Sequence, residues 1–189
     1  MNLSFIPSID IITGPMYCGK TTETIGKLIV YHEIGMRTLY VNTKMDTRSD
    51  NAFSTHNKTV GSVPFDCVKV EDLRECKVEN YDVIAIDESQ FFDNLKDIVL
   101  DWVERQNKIV IISGLSGDFQ RNKFGQIVDL FPYADTVTKL SSFCMECKKN
   151  ENKITPAHFT KRTVHADSKI LIGGKESYIP VCRKCFLQK

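Results

Sequence analysis

Through the first two thirds of the chain, short runs of aliphatic and β-branched residues alternate with longer stretches whose apolar positions recur at helical spacing. That alternation is the sequence form of an α/β sheet with crossover helices. The runs predict strands at Ile9 to Thr13, Thr38 to Val41, Phe65 to Val70, Val83 to Ile86, Ile109 to Ser113 and Thr136 to Lys139. Several lack polar alternation, as expected for strands covered on both faces. Two helices stand out: Thr21 to Ile34, closed by Gly35, and Leu95 to Gln106. In the second, Ile98, Val99, Trp102 and Val103 share one face while Lys96, Asp97, Asp101 and Arg105 point away, so Trp102 is expected in the core. From Asn42 to Pro64 the chain is polar and aperiodic, which predicts a long, mobile, functional loop. After Leu140 the pattern changes to cysteine pairs, a Lys/Asn-rich segment and Gly173-Gly174. This divides the chain into an α/β unit over residues 1–140 and a small unit over 141–189.

Composition narrows the class. A chain of 189 residues, 42% hydrophobic and 26% charged, can bury a real core and is no disordered tail. With 25 Lys and Arg against 24 Asp and Glu, its net charge of +1 gives no field that would attract nucleic acid or an anionic membrane. Neither partner is expected, and phosphate binding must be local. The longest apolar runs, such as Ile109-Val110-Ile111-Ile112, fall far short of the ~20 residues that cross a bilayer. Met1 to Pro7 carries neither a basic patch nor a secretory cleavage site, so a cytoplasmic location is expected.

Gly14-Pro15-Met16-Tyr17-Cys18-Gly19-Lys20-Thr21 fits G-x-x-x-x-G-K-[ST], between a predicted strand and a predicted helix. The glycines let backbone N–H groups converge on phosphate at the helix N-terminus. Lys20 is placed to reach the β- and γ-phosphates, and the Thr21 hydroxyl to hold Mg²⁺. Val83 to Ile86 ends in Asp87 and Glu88, where Asp87 can bind Mg²⁺ directly or through water and Glu88 can accept a proton. These motifs specify a nucleoside triphosphate site but not its reaction. The length leaves little room for a helicase's second motor domain, and no guanine-specificity motif is evident. A small-molecule kinase leads, with a nucleic-acid-stimulated ATPase as the rival class.

Further motifs follow in order: Asp46-Thr47-Arg48, Asp87-Glu88-Ser89-Gln90-Phe91-Phe92, Leu115 through Gly125 around Phe119-Gln120-Arg121, Cys144-Met145-Glu146-Cys147, Ile172-Gly173-Gly174, Tyr178, and Cys182-x-x-Cys185. With the P-loop they resemble the thymidine kinases of the cellular and poxviral type over nearly the whole chain. The resemblance implies a P-loop NTPase-type, mostly parallel sheet with flanking helices, plus a small zinc-ribbon-like domain carrying a lasso loop. It implies transfer of the ATP γ-phosphoryl group to the 5′-hydroxyl of thymidine, and of deoxyuridine, in nucleotide salvage for DNA synthesis. Another deoxynucleoside, such as deoxycytidine, is the alternative substrate.

By the same resemblance Glu88 matches the general base, and Thr21 and Asp87 match the Mg²⁺ ligands or their water partners. Gly14 to Thr21, Asp46, Arg48, Asp87 and Gln90 match the ATP side. Met16, Phe91, Leu115 and Phe119 match residues around the pyrimidine. Thr160, Lys169, Ile170, Leu171, Ile172, Gly173 and Tyr178 match the lasso over the base. Cys144, Cys147, Cys182 and Cys185 form two Cys-x-x-Cys pairs suited to a structural Zn²⁺. A homotetramer is implied. The chain departs from the pattern at Ser116, where many members have Asp, in the extra length around Asn150 to Lys153, and in having little sequence after Cys185. Cys18, Cys67 and Cys76 are expected to be free thiols, and the four histidines have no ligand spacing with the cysteines.

Overall fold

A computed structural model describes residues 4–46, 63–164 and 177–188. Six strands form one parallel sheet in the order β3-β2-β4-β5-β1-β6, where β1 is Ser8–Thr13, β2 Thr38–Thr43, β3 Asp66–Val70, β4 Val83–Ile86, β5 Ile109–Gly114 and β6 Thr136–Lys139. All six predicted strands are present. Asn42 and Thr43, which the polar pattern assigned to the loop, instead complete β2 and are buried. Residues 47–62 of that stretch lie outside the described residues.

The absence of alternation is explained by cover on both faces. On one face Ile12, Tyr40, Val83, Ala85 and Ile111 pack with Ile25 and Leu28 of α1 (Lys20–Glu33). On the other, Ile11, Val41, Ile84, Ile86 and Ile112 pack with Leu95 and Val99 of α2 (Leu95–Leu100) and with Ile127 and Leu130. The N–H groups of Gly35 and Met36 return to the carbonyls of His32 and Tyr31, with Gly35 at φ +88°, which is the predicted glycine stop for α1. The second predicted helix is not uniform. After Leu100 it continues over Asp101–Arg105 as a wider π turn, closed by Gln106 N–H on the Asp101 carbonyl at 3.1 Å. Adjacent Trp102 and Val103 both bury there. No helix among the described residues is long and apolar enough to cross a membrane.

Beyond β6 the elements are short: β7 (Ser142–Phe143), α3 (Met145–Glu151), β8 (Pro156–Ala157), β9 (Phe159–Arg162), β10 (Tyr178–Val181) and α4 (Arg183–Leu187). Strands β7 and β8 pair antiparallel, as do β9 and β10. Their small core consists of Ala157, Val181 and four cysteines, with Phe159, Ile179 and Phe186 against it. So little apolar surface calls for a staple. Asn150, Glu151, Asn152 and Lys153 are all exposed where α3 ends.

Candidate active site

Strand β1 delivers the chain into the Gly14–Thr21 turn, and α1 begins at Lys20. The turn uses left-handed backbone at Gly19 (φ +89°) and also at Tyr17 (φ +63°). At Gly14 a Cβ would lie 2.7 Å from both Cys18 Sγ and the Leu140 carbonyl oxygen, so only glycine fits beside the exit of β6. The buried Lys20 ammonium donates to the carbonyls of Pro15 (3.0 Å) and Gly14 (3.4 Å), which holds its charge inside the turn.

The end of β4 faces this turn. Asp87 is 2% exposed, and its carboxylate accepts from Thr21 Oγ1 (2.7 Å) and Tyr40 OH (2.7 Å) on Oδ2, and from Ser113 Oγ (2.6 Å) and the Glu88 amide (2.9 Å) on Oδ1. Burial, together with the Asp87 charge, pushes the Tyr40 phenol well above its ordinary range, so it remains a proton donor. Glu88 occupies left-handed backbone (φ +49°) and turns the chain into a short 3₁₀ segment, Ser89–Phe91. Gln90 bridges outward: its Nε2 donates to Glu88 Oε2 at 2.6 Å and its Oε1 accepts from the Leu115 amide at 2.9 Å.

Residues 115–125 form a small loop organised by Asp118, whose Oδ1 accepts from the Gln120 and Asn122 amides at 2.8 Å. Phe124 meets Phe91 edge-on, with centroids 5.6 Å apart. The loop and the C-terminal elements hold each other by reciprocal cation–π contacts. Arg121 lies over Phe186 (4.8 Å), and Arg162 over Phe119 (4.6 Å). The Met16 amide donates to Thr160 Oγ1 at 3.0 Å, and Ser142 Oγ donates to the Tyr17 carbonyl at 3.1 Å, so β9 and β7 both touch the phosphate turn.

Gly125 is fixed by contact as well as by conformation. At φ +62° its hypothetical Cβ would lie 2.8 and 2.9 Å from Cα and C of Gln90 and closer still to that carbonyl oxygen. Gly125→Ala should therefore displace the backbone that carries Glu88 and Gln90. A loss of about 1–3 kcal/mol is expected from the clash. A thermal melt and the nucleoside KM, both shifted in the unfavourable direction, are the measurements.

The four cysteines Cys144, Cys147, Cys182 and Cys185 are buried, with all four sulfurs within 4.8 Å of one another. Cys147 Sγ is 3.8 Å from Cys182 Sγ and 3.5 Å from Cys185 Sγ. Four ligands at a Zn–S bond of about 2.3 Å stand roughly 3.8 Å apart in a tetrahedron, so the cluster can hold a metal ion of that kind. Cys144 and Cys182 cap α3 and α4, which puts both Cys-x-x-Cys pairs at helix starts. By contrast, Cys67 and Cys76 are pushed up to about 11, chiefly by burial, which leaves them unreactive thiols.

The family model described as thymidine kinase matches residues 7–186. The chain belongs to the thymidine kinase family. It is 41% identical over 183 residues to thymidine kinase 1 of Dictyostelium discoideum, covering 94% of this chain and 77% of that protein. It is 36% identical to a thymidine kinase of Oryza sativa subsp. japonica, covering 97% and 68%. To that of Myxoma virus (strain Uriarra) it is 37% identical, covering 94% and 95%. Membership makes the chain a nucleoside kinase, for which ATP is the family's phosphoryl donor.

Of the residues matched to the family's site, Lys20, Thr21, Asp87 and Glu88 converge as described. Asp46 is buried at the end of β2's following turn, accepting from Asn42 Nδ2 at 3.1 Å. Gln90, expected on the ATP side, joins Glu88 to the Leu115 amide. Thr160 touches Met16 of the phosphate turn, and Tyr178 is buried opposite Arg162 in the β9–β10 ribbon. Arg48 and residues 169–173 lie outside the described residues. From the sequence alone, Tyr40, Ser113 and Phe124 had no role of their own. Only the strand register could have flagged the first two, since β4 lies between β2 and β5.

Proposed function

We propose that this chain transfers the γ-phosphoryl group of ATP to the 5′-hydroxyl of thymidine, and of deoxyuridine, as a cytoplasmic homotetramer in nucleotide salvage. The observation that carries the reading is the meeting of the Lys20–Thr21 turn with Asp87 and Glu88, Thr21 Oγ1 lying 2.7 Å from Asp87. In the transfer the 5′-oxygen bonds to the γ-phosphorus while the bond to the β,γ-bridging oxygen breaks. ADP leaves with that electron pair, and Glu88 takes the hydroxyl proton. Gln90 orients Glu88 through its 2.6 Å hydrogen bond. Lys20 and the backbone N–H groups of Tyr17 to Thr21 cradle the phosphates, and Asp46 and Arg48 serve the same ATP. A hydroxyl backed by a buried carboxylate suits a hard cation, so Thr21 would hold Mg²⁺, with Asp87 acting through the Thr21 hydroxyl or by exchanging one of its present donors for the ion or its water. When bound, that ion neutralises charge on the transferring group.

Met16, Phe91, Leu115, Phe119, Thr160, residues 169–173 and Tyr178 enclose the thymine, which an apolar and aromatic surround suits. Zn²⁺ on the four cysteines is structural. It ties down the β9–β10 ribbon that leads to residues 165–176, dividing the chain into units 1–140 and 141–189.

Incubation with ATP, Mg²⁺ and a panel of nucleosides tests the reading. Thymidine and deoxyuridine should become 5′-monophosphates. Phosphorylation of deoxycytidine instead, or ATP hydrolysis stimulated by nucleic acid with no nucleotide product, would overturn it.

A further inference from the structure

The Asp87 carboxylate has about four acceptor positions, and four donors occupy them. Thr21 belongs to the phosphate turn, and the Glu88 amide is backbone. The other two donors are side chains of the strands on either side of β4: Tyr40 from β2 and Ser113 from β5, both fully buried. In the middle of a sheet covered on both faces, a purely apolar side chain would pack without needing a partner. A buried hydroxyl there needs an acceptor. Ser113 finds it in Asp87 Oδ1 at 2.6 Å rather than in the Ile86 carbonyl at 3.5 Å. Tyr40 finds it in Oδ2, while its ring packs 6.4 Å from that of Phe65.

We propose that Tyr40 and Ser113 are positioning residues that clamp Asp87, one on each carboxylate oxygen, and thereby aim the Thr21 hydroxyl at the divalent cation of the phosphate site. A hydroxyl that gives its proton to Asp87 keeps its lone pairs for a cation. The direction of that proton is set by the plane of the carboxylate. Two donors from two strands fix that plane, because rotation about the Asp87 side chain would break both bonds together. Such outer partners of metal-binding groups are typically worth about 10–100-fold in metal affinity or activity. The inference rests on the proposed role of Thr21 and Asp87 but is independent of which nucleoside is phosphorylated.

The test uses the whole chain with Tyr40→Phe, which keeps the ring, and Ser113→Ala, which keeps the strand. Mn²⁺ binding is measured by electron paramagnetic resonance in the presence of a non-hydrolysable ATP analogue. Binding of the analogue in EDTA is measured by calorimetry. Expected is at least about a tenfold weaker Mn²⁺ affinity in each variant, a larger loss in the double variant, and metal-free analogue binding within about twofold of wild type. Raising Mg²⁺ should recover kcat. Unchanged Mn²⁺ affinity alongside a lowered melting temperature would make the hydroxyls purely structural and overturn the proposal. An equal loss of metal-free analogue binding would overturn it too. If Tyr40→Phe fails to fold, Ser113→Ala alone decides between these outcomes. A weakened Mn²⁺ site in a protein that phosphorylates no thymidine would sink the substrate reading and leave the clamp standing.

Discussion

Glu88→Gln lowers thymidine phosphorylation about 10²–10⁴-fold while ATP still binds with near wild-type affinity, the range expected for loss of a positioned general base. The amide keeps the shape of the carboxylate and can still pair with Gln90, which now holds Glu88 at 2.6 Å. What it loses is the capacity to take the 5′-hydroxyl proton. ATP binding survives because Lys20 is held by the carbonyls of Gly14 and Pro15, and Thr21 by Asp87, without help from Glu88. Single-turnover rates and ATP calorimetry on the same preparation separate the two effects. A variant with a rate within about twofold of wild type would remove Glu88 from the chemistry.

Cys147→Ser empties the four-sulfur cluster and raises the thymidine KM about tenfold or more, or unfolds the C-terminal elements. Cys147 lies 3.5 and 3.8 Å from two of the other sulfurs and bridges the two pairs. The surrounding core is a handful of side chains, so a bound ion would supply much of its folding free energy. Loss is expected to spread to the proposed substrate side along two described links, Thr160 to the Met16 amide and Arg162 to the Phe119 ring. Zinc released to a chromophoric chelator, followed by kinetics, reads both consequences. Metal content equal to wild type would refute the four-thiolate site.

Much of this was legible because parallel strands buried on both faces read as unbroken apolar runs, and Gly14, Gly19 and Gly35 occupy the left-handed backbone for which glycine is suited. Lys20, Thr21, Asp87 and Glu88 were legible because a phosphate turn and an acid-ended strand have fixed spacing. Tyr40 and Ser113 were not, since each looks like an ordinary strand residue until β2 and β5 are set beside β4. The bonds of Gln90 to Glu88 and to the Leu115 amide were not legible, because a short motif does not reveal which way a 3₁₀ turn points its side chains. The π turn at Asp101–Arg105 left no signal either, since its apolar spacing suits a regular helix equally.

The position of β1 within the sheet also bears on how the chain assembles during synthesis. The strand that feeds the phosphate turn precedes the other five of its sheet in the chain, yet its partners are β5 and β6, and the side chains of Asp10 and Thr136 that bond across one edge are 126 residues apart in sequence. Early strands β2, β3 and β4 can pair among themselves while β1 waits. Such distant pairing is slow to form because loop closure must precede its reward. Nascent chains ending before β5 therefore leave both edges of β1 unpaired, and the ability to hold a nucleotide arises only once β5 has been made and β1 is seated in the sheet.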